Sequence, residues 1–253
     1  MTYDQRFTIY DPSPVLLLRI FQGLSSHYGP QNWWPTRTGG VWEVLLGAIL
    51  TQHTSWTNVA QAFDRIEAAW GPDGLSRPEI ILSAPLDTLT AAVRPAGFHT
   101  SKPERLITLA HFVMQHGGPQ ALAASAEPTA DLRRDLLTLN GIGPETADAI
   151  LLYALKRPVF IADAYAVRLA SRWGLLPPTA SYAVTQALFM DNLPHDTSLF
   201  NEYHALIVTH AKALCRPRPL CDACPLNRPL SIGSTKAGAW ICPKLYTDQK
   251  ERI

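Results

Sequence analysis

Apolar side chains recur along this chain at intervals of three and four residues, between short stretches punctuated by proline and glycine. Strict alternation of apolar and polar residues is nowhere sustained, so the pattern predicts an all-α protein. Trp56, Val59, Ala60, Phe63 and Ile66 form one helical face. Leu86, Leu89 and Val93 form a second, for which Ser83 and Pro85 read as N-cap and first-turn residue. Leu106, Leu109, Ala110 and Val113 form a third, stopped by Gly117 and Gly118. Phe200, Tyr203, Ile207, Ala211 and Leu214 mark a long late helix that delivers Cys215 at its end.

With 253 residues, 47% of them hydrophobic, the chain can bury one or two ordinary cores without covalent staples. Its first twenty residues are broken by Asp4, Arg6, Asp11, Pro12 and Pro14, and no later apolar run reaches the length of a membrane span. A cytoplasmic protein with no membrane partner is expected, nucleoid-associated if the source is bacterial. The net charge of +1 does not by itself propose a polyanionic partner. Cysteine usage changes the picture more. All four cysteines lie after residue 214, which is uneven for a disulfide framework and suggests a metal held by clustered thiols.

The most informative stretch runs from Leu136 to Leu151. Two glycines, Gly141 and Gly143, separated by Ile142, join two helical patterns. Glycine takes backbone angles closed to other residues and lets another backbone come close. Pro144 suits a first helical position. Exposed amides in such a turn, beside a helix N-terminus, can seat a phosphate without reading sequence. A glycine turn is also found in any αα-hairpin. Twenty residues beyond Gly143, the apolar run Val159 to Ala162 ends in Asp163, followed by helical spacing at Tyr165, Leu169 and Trp173. An acid there sits at a helix N-terminus, where the dipole favours its charge. It reads equally as a plain N-cap, and the two readings are compatible.

The hairpin, the following Thr146-Ala147-Asp148-Ala149-Ile150-Leu151 and the spaced Asp163 resemble endonuclease III and its helix-hairpin-helix-GPD relatives, DNA glycosylases of base excision repair. The likeness spans most of the chain. Leu46 to Trp56 is similar to the family's helix whose glutamine, here Gln52, enters the gap left by an extruded base. Ala96 to Lys102 is similar to the loop that wedges an apolar residue, here Phe98, into the duplex; the bland reading of Phe98 is a core aromatic. The resemblance implies two helical lobes: a helical barrel with the hairpin at 40–157, and a cluster lobe made of 1–39 and 158–253. A DNA cleft would lie between them, and a monomer would act on double-stranded DNA containing a damaged base. Leu139, Gly141, Ile142 and Gly143 would grip the strand.

Cys215, Cys221, Cys224 and Cys242 resemble the thiolate set that holds a 4Fe-4S cluster in endonuclease III, with zinc the alternative. The first gap is five residues rather than six and the last is seventeen rather than five. A longer loop can still close, because closure entropy grows slowly with length. The cluster's role would be structural, supporting a basic stretch with Lys212, Arg216 and Arg218.

In the mechanism the resemblance implies, the target nucleotide is turned out of the stack and Asp163 stabilises the oxocarbenium-like sugar as the base leaves. Bifunctional relatives place a lysine in the second hairpin helix; here that position is Glu145, which cannot form an imine. A monofunctional glycosylase follows, acting on alkylated or oxidised bases. The alternatives are a lyase with a displaced lysine such as Lys212, and a DNA-binding module without chemistry. Lys212 also resembles a lysine near the pocket of 3-methyladenine glycosylases, although its residue type and place read first as a solvated or phosphate-facing side chain. Glu145 reads as a pocket acid or a solvated first-turn residue. Trp33, Trp34, Trp42 and Trp56 are candidates for a wall that stacks on an electron-poor base, with Trp56 also readable as core.

Overall fold

A computed structural model describes residues 13–227, and among these every regular element is helical. The chain divides into two compact units: one combines the segment up to Trp33 with the segment from Val159 onward, and the other is Trp34–Pro158. The first unit contributes α1 (Pro14–Tyr28) before the chain enters the second. There follow α2 (Val41–Leu50), α3 (Trp56–Trp70), α4 (Asp73–Ser76), α5 (Pro78–Ser83) and α6 (Leu86–Val93). Next come α7 (Lys102–Gln115), α8 (Pro119–Ala123), α9 (Thr129–Thr138) and α10 (Pro144–Ala149). Back in the first unit lie α11 (Ala164–Arg172), α12 (Tyr182–Met190) and α13 (Thr197–Ala213).

The centre of the Trp34–Pro158 unit is α2, buried from Trp42 to Leu50 on every side, as its almost wholly apolar sequence requires. It packs on α7 and on the turn Ile150–Ala154, where α10 widens so that the Leu155 N–H donates to the Ile150 carbonyl five residues back. One acid interrupts the helix. Glu43 is fully buried, and its carboxylate accepts from Arg37 N (2.6 Å), Thr38 N (2.7 Å) and Thr38 Oγ1 (2.8 Å), so it closes the loop before α2 instead of facing solvent. Gly47 supplies room: a Cβ there would stand 2.8 Å from the Trp34 ring.

In the other unit α13 packs on α1 and α11 around an aromatic cluster. Phe160 stacks on Phe189 with centroids 3.9 Å apart, and Phe200 and Tyr203 meet Phe160 edge-on. Tyr203 also donates its hydroxyl proton to the Leu17 carbonyl at 2.9 Å, which fixes α1 to α13. Each such ring removed from water contributes about 1.5–3 kcal/mol.

The face Leu106, Leu109, Ala110 and Val113 is fully buried, as its spacing predicts. Three details differ. Ser83 ends α5, with its hydroxyl on the Ile80 carbonyl, and the residue before α6 is Pro85. Leu86 is 53% exposed at the start of that helix, so α6 packs through Leu89, Ala92 and Val93. On α3 it is Ala62, not Ala60, that joins Val59, Phe63 and Ile66 in the core.

Candidate functional site

The hairpin joins α9 to α10 through residues 139–143. Ile142, 5% exposed, tucks inward while its N–H donates to the Leu139 carbonyl at 3.1 Å; Leu139 itself is half-buried. The two glycines are not equivalent. Gly141 has φ +79, and a Cβ on it would collide with the Arg105 side chain. Gly143 has an ordinary extended backbone, and nothing lies within 4 Å of where its Cβ would be. The open backbone at Gly143 therefore leaves room for an incoming group, whereas Gly141 is required by the fold. Glu145 is exposed on the first turn of α10.

Two polar devices set this region, and neither shows in a reading of apolar spacing. Asp148 on α10 is fully buried and receives Arg133 of α9 in two parallel bonds, Nε to Oδ1 at 2.6 Å and Nη2 to Oδ2 at 3.0 Å. Its signal is an acid inside an apolar helical run. Gln52 reaches the hairpin: its Nε2 donates to the Gly141 carbonyl (2.9 Å) and to Thr146 Oγ1 (3.0 Å), while its Oε1 accepts from Arg105 Nη1 (2.6 Å).

Lys102 completes the arrangement. Its side chain is fully buried, and Nζ donates to the carbonyls of Leu50 (2.9 Å), Gln52 (2.9 Å) and Ala96 (2.7 Å). Burial, with the nearby charge of Arg105, lowers its pKa to about 8. One ammonium thus pins the end of α2 and Gln52, two residues beyond it, to the loop before Phe98. Phe98 stands 58% exposed beside exposed His53, ring centroids 5.6 Å apart. Of the tryptophans, Trp42 is fully buried and cannot face a base. Trp34 meets Trp56 and Tyr153 at 5.4 and 5.2 Å. Trp33 belongs to the other unit.

In that other unit Asp163 caps α11: Oδ1 accepts from Ala166 N at 2.8 Å. Its Oδ2 lies 3.5 Å from Nε2 of His204, and the carboxylate side chain keeps 12% of its surface exposed. His204, on the buried face of α13, is a residue the sequence reading missed; its signal is a histidine between Tyr203 and Ile207 on an apolar stripe. Lys212 is exposed, with Nζ 5.8 Å from the Tyr165 ring centroid, and Arg168 approaches the same ring at 5.1 Å. Two cations therefore approach one aromatic ring two residues beyond Asp163.

Cys215, Cys221 and Cys224 line one small pocket, open at its mouth, together with Trp173 and His210. Arg172 gathers this segment, donating through Nη1 to the Cys215 sulfur (3.2 Å) and carbonyl (2.9 Å). Tyr28 and His210 share a 2.9 Å hydrogen bond beside Cys224, and burial, helped by His27, lowers His210 to about 4. Three soft sulfurs around one cavity, with a guanidinium on the first, fit a thiophilic metal centre. Among the described residues no three His, Cys, Asp or Glu side chains are already grouped closely enough to hold a single ion. Cys242 lies outside the described residues.

No helix among the described residues is long and apolar enough to cross a membrane. Residues 46–195 match the model of the HhH-GPD superfamily of base excision DNA repair proteins. The chain is 42% identical over 213 residues to MJ1434 of Methanocaldococcus jannaschii, whose name assigns it to the DNA repair glycosylases; the match covers 84% of this chain and 94% of that protein. The crystal structure of Helicobacter pylori 3-methyladenine DNA glycosylase bound to 1,N6-ethenoadenine is similar at 26% identity and TM-score 0.67, covering 78% of this chain and 97% of that one. A trapped covalent intermediate of endonuclease III with DNA shares the fold at 18% identity and TM-score 0.68, over 85% and 93% of the two chains.

Proposed function

The chain belongs to the HhH-GPD superfamily of base excision DNA repair proteins and is a DNA N-glycosylase; we propose that it is a monofunctional one, releasing alkylated purines from duplex DNA. The observation that carries the reading is the carboxylate of Asp163: one oxygen is fixed by the helix it caps, the other faces His204, and the side chain keeps an exposed edge.

A carboxylate held in this way can stand beside the sugar of an everted nucleotide. As the C1′–N bond breaks, its electron pair leaves with the base, and positive charge grows on the sugar where Asp163 stabilises it. Water then adds to C1′, with the carboxylate taking a proton from it, and the products are a free base and an abasic site. A purine already made cationic by alkylation departs as a neutral molecule, so no separate acid is needed. Trp34 and Trp56 are the aromatic groups of the Trp34–Pro158 unit suited to attract such a base, and likeness to a 3-methyladenine glycosylase supports the choice.

Glu145 has no amine with which to attack the sugar, and this separates the reading from the covalent route of endonuclease III. The strand is gripped at Leu139, Gly141, Ile142 and Gly143, Phe98 wedges the duplex, and one monomer acts on one lesion in the cytoplasm or on the nucleoid. Cys215, Cys221, Cys224 and Cys242 hold a 4Fe-4S cluster whose part is structural. The three described thiols line a single cavity, which supports that reading.

The test is a panel of duplexes, each with one lesion, assayed separately for abasic sites and strand breaks. Abasic sites without breaks, from alkylated purines first, are expected. Breaks, with a borohydride-trapped adduct that Lys212→Ala removes, would replace this reading by a lyase. Iron and sulfide analysis of purified protein tests the cluster, and stoichiometric zinc would overturn it.

A further inference from the structure

Among the described residues, the basic side chain within ion-pairing distance of Asp163 is a histidine, His204, and not a lysine or arginine. The two permanent cations nearby in sequence or on the facing helix are engaged elsewhere. Arg168 donates to the carbonyls of Cys215 and Ala211, both at 3.2 Å, and approaches the Tyr165 ring, as Lys212 does. A guanidinium or ammonium on Asp163 would offset the negative charge that a developing sugar cation needs. A neutral imidazole can orient a carboxylate and leave that charge in place.

His204 is mounted for such a task. It is buried on α13, and its neighbours tie that helix down: Tyr203 donates to the Leu17 carbonyl, and His210 shares a hydrogen bond with Tyr28. On the carboxylate, Oδ1 is already held by the Ala166 N–H. A carboxyl group held at one oxygen still swings about its last torsion, which is broad, and a second contact at Oδ2 fixes its plane. At 3.5 Å, Nε2 is a small side-chain turn away from a hydrogen bond to Oδ2. Contacts of this kind tighten when substrate is bound.

We propose that His204 is the positioning residue of Asp163: a neutral imidazole, with its proton on Nε2, that donates a hydrogen bond to Oδ2 and holds the charged carboxylate in one orientation towards the sugar. The proposal deepens the glycosylase reading and rests on it for the role of Asp163, but the tautomer of His204 can be read without base release.

Three variants separate the ring from the proton. His204→Phe keeps the ring and loses the donor. In His204→Gln the amide nitrogen stands as many bonds from Cβ as Nε2 does, whereas His204→Asn reaches only the position of Nδ1. Each is assayed for single-turnover release from a duplex with one alkylated purine, for affinity to a duplex with a tetrahydrofuran abasic analogue, and for melting temperature. His204→Phe is expected to slow release about tenfold while abasic-duplex affinity stays within about twofold of the parent. His204→Gln should recover most of the rate and His204→Asn little of it. In the Asp163→Asn background, His204→Phe should cost nothing further. In protein carrying isotope-labelled histidine, nitrogen NMR should show the Nε2–H tautomer for His204, its signals identified by their loss in His204→Gln and shifted by Asp163→Asn. The proposal is overturned if His204 is the Nδ1–H tautomer or doubly protonated, if His204→Phe releases base at the parent rate, or if folded His204→Gln is as slow as His204→Phe. A parent chain that releases no base from any lesion, with the Nε2–H tautomer present and sensitive to Asp163→Asn, would overturn the glycosylase reading and uphold the His204 contact.

Discussion

In the unit that resumes at Val159, the carboxylate of Asp163 is held by a backbone N–H three residues ahead of it, on the helix it begins. In the unit Trp34–Pro158, the groups at the hairpin and wedge are held from far along the chain: Gln52 by residues 53 to 94 positions away, and the Leu50 carbonyl by Lys102, 52 positions on. A local cap engages one oxygen and leaves the other to face His204. A long-range staple engages every polar atom it has, and removing it loosens several segments at once. Chemistry and scaffold are therefore separable at Asp163 and bound together around the hairpin.

Asp163→Asn sharpens this contrast most. Asparagine is as good an N-cap as aspartate and its amide oxygen can still accept from Ala166, so the melting temperature should hardly move. On the proposed mechanism the charge that meets the developing sugar cation is lost, and single-turnover base release should fall by about 10²–10³-fold. A matching loss of thermal stability would show that the carboxylate's charge is needed by the fold, and the separability would be gone.

Arg133→Met attacks the other side. It leaves the Asp148 carboxylate buried without its guanidinium, at a cost of about 3–5 kcal/mol, read as an earlier urea midpoint. A change below about 1 kcal/mol would mean that the hairpin does not depend on its internal ion pair.

The smallest effect separates the two glycines. Gly141→Ala forces a positive φ on alanine and displaces Arg105 from Gln52, an expected loss of about 1–2 kcal/mol. Gly143→Ala should change stability by less than about 0.5 kcal/mol, since its backbone is ordinary and its surroundings are open. Its effect should appear in DNA affinity, where a methyl group obstructs the approach of a phosphate. Equal melting temperatures for the two variants would erase the distinction drawn between them.

The same division of short and long range governs what the sequence could tell. The buried face of α7 follows from apolar spacing alone, and the cap at Asp163 from the run that precedes it, because each is decided within a few residues. The hairpin likewise announces itself through Gly141, Ile142 and Gly143, although spacing could not show that only Gly141 needs its special backbone. Lys102, Arg133 and His204 passed unremarked as site residues, since a charged side chain looks solvated until the fold supplies carbonyls or a carboxylate from elsewhere. Ser83 was misassigned for a related reason. Serine before proline suits an N-cap, but the short helix α5 already claims it.

Lys102 has one further use. Burial and the neighbouring charge of Arg105 lower its pKa to about 8, so it gives up its proton more readily than an exposed lysine, and burial keeps the amine from solvent. Acylating reagents can reach it only while the two loops it joins have come apart. The labelling rate of this single lysine, followed by mass spectrometry, is accordingly a native clock for the parting of these two loops, with no foreign probe attached to either.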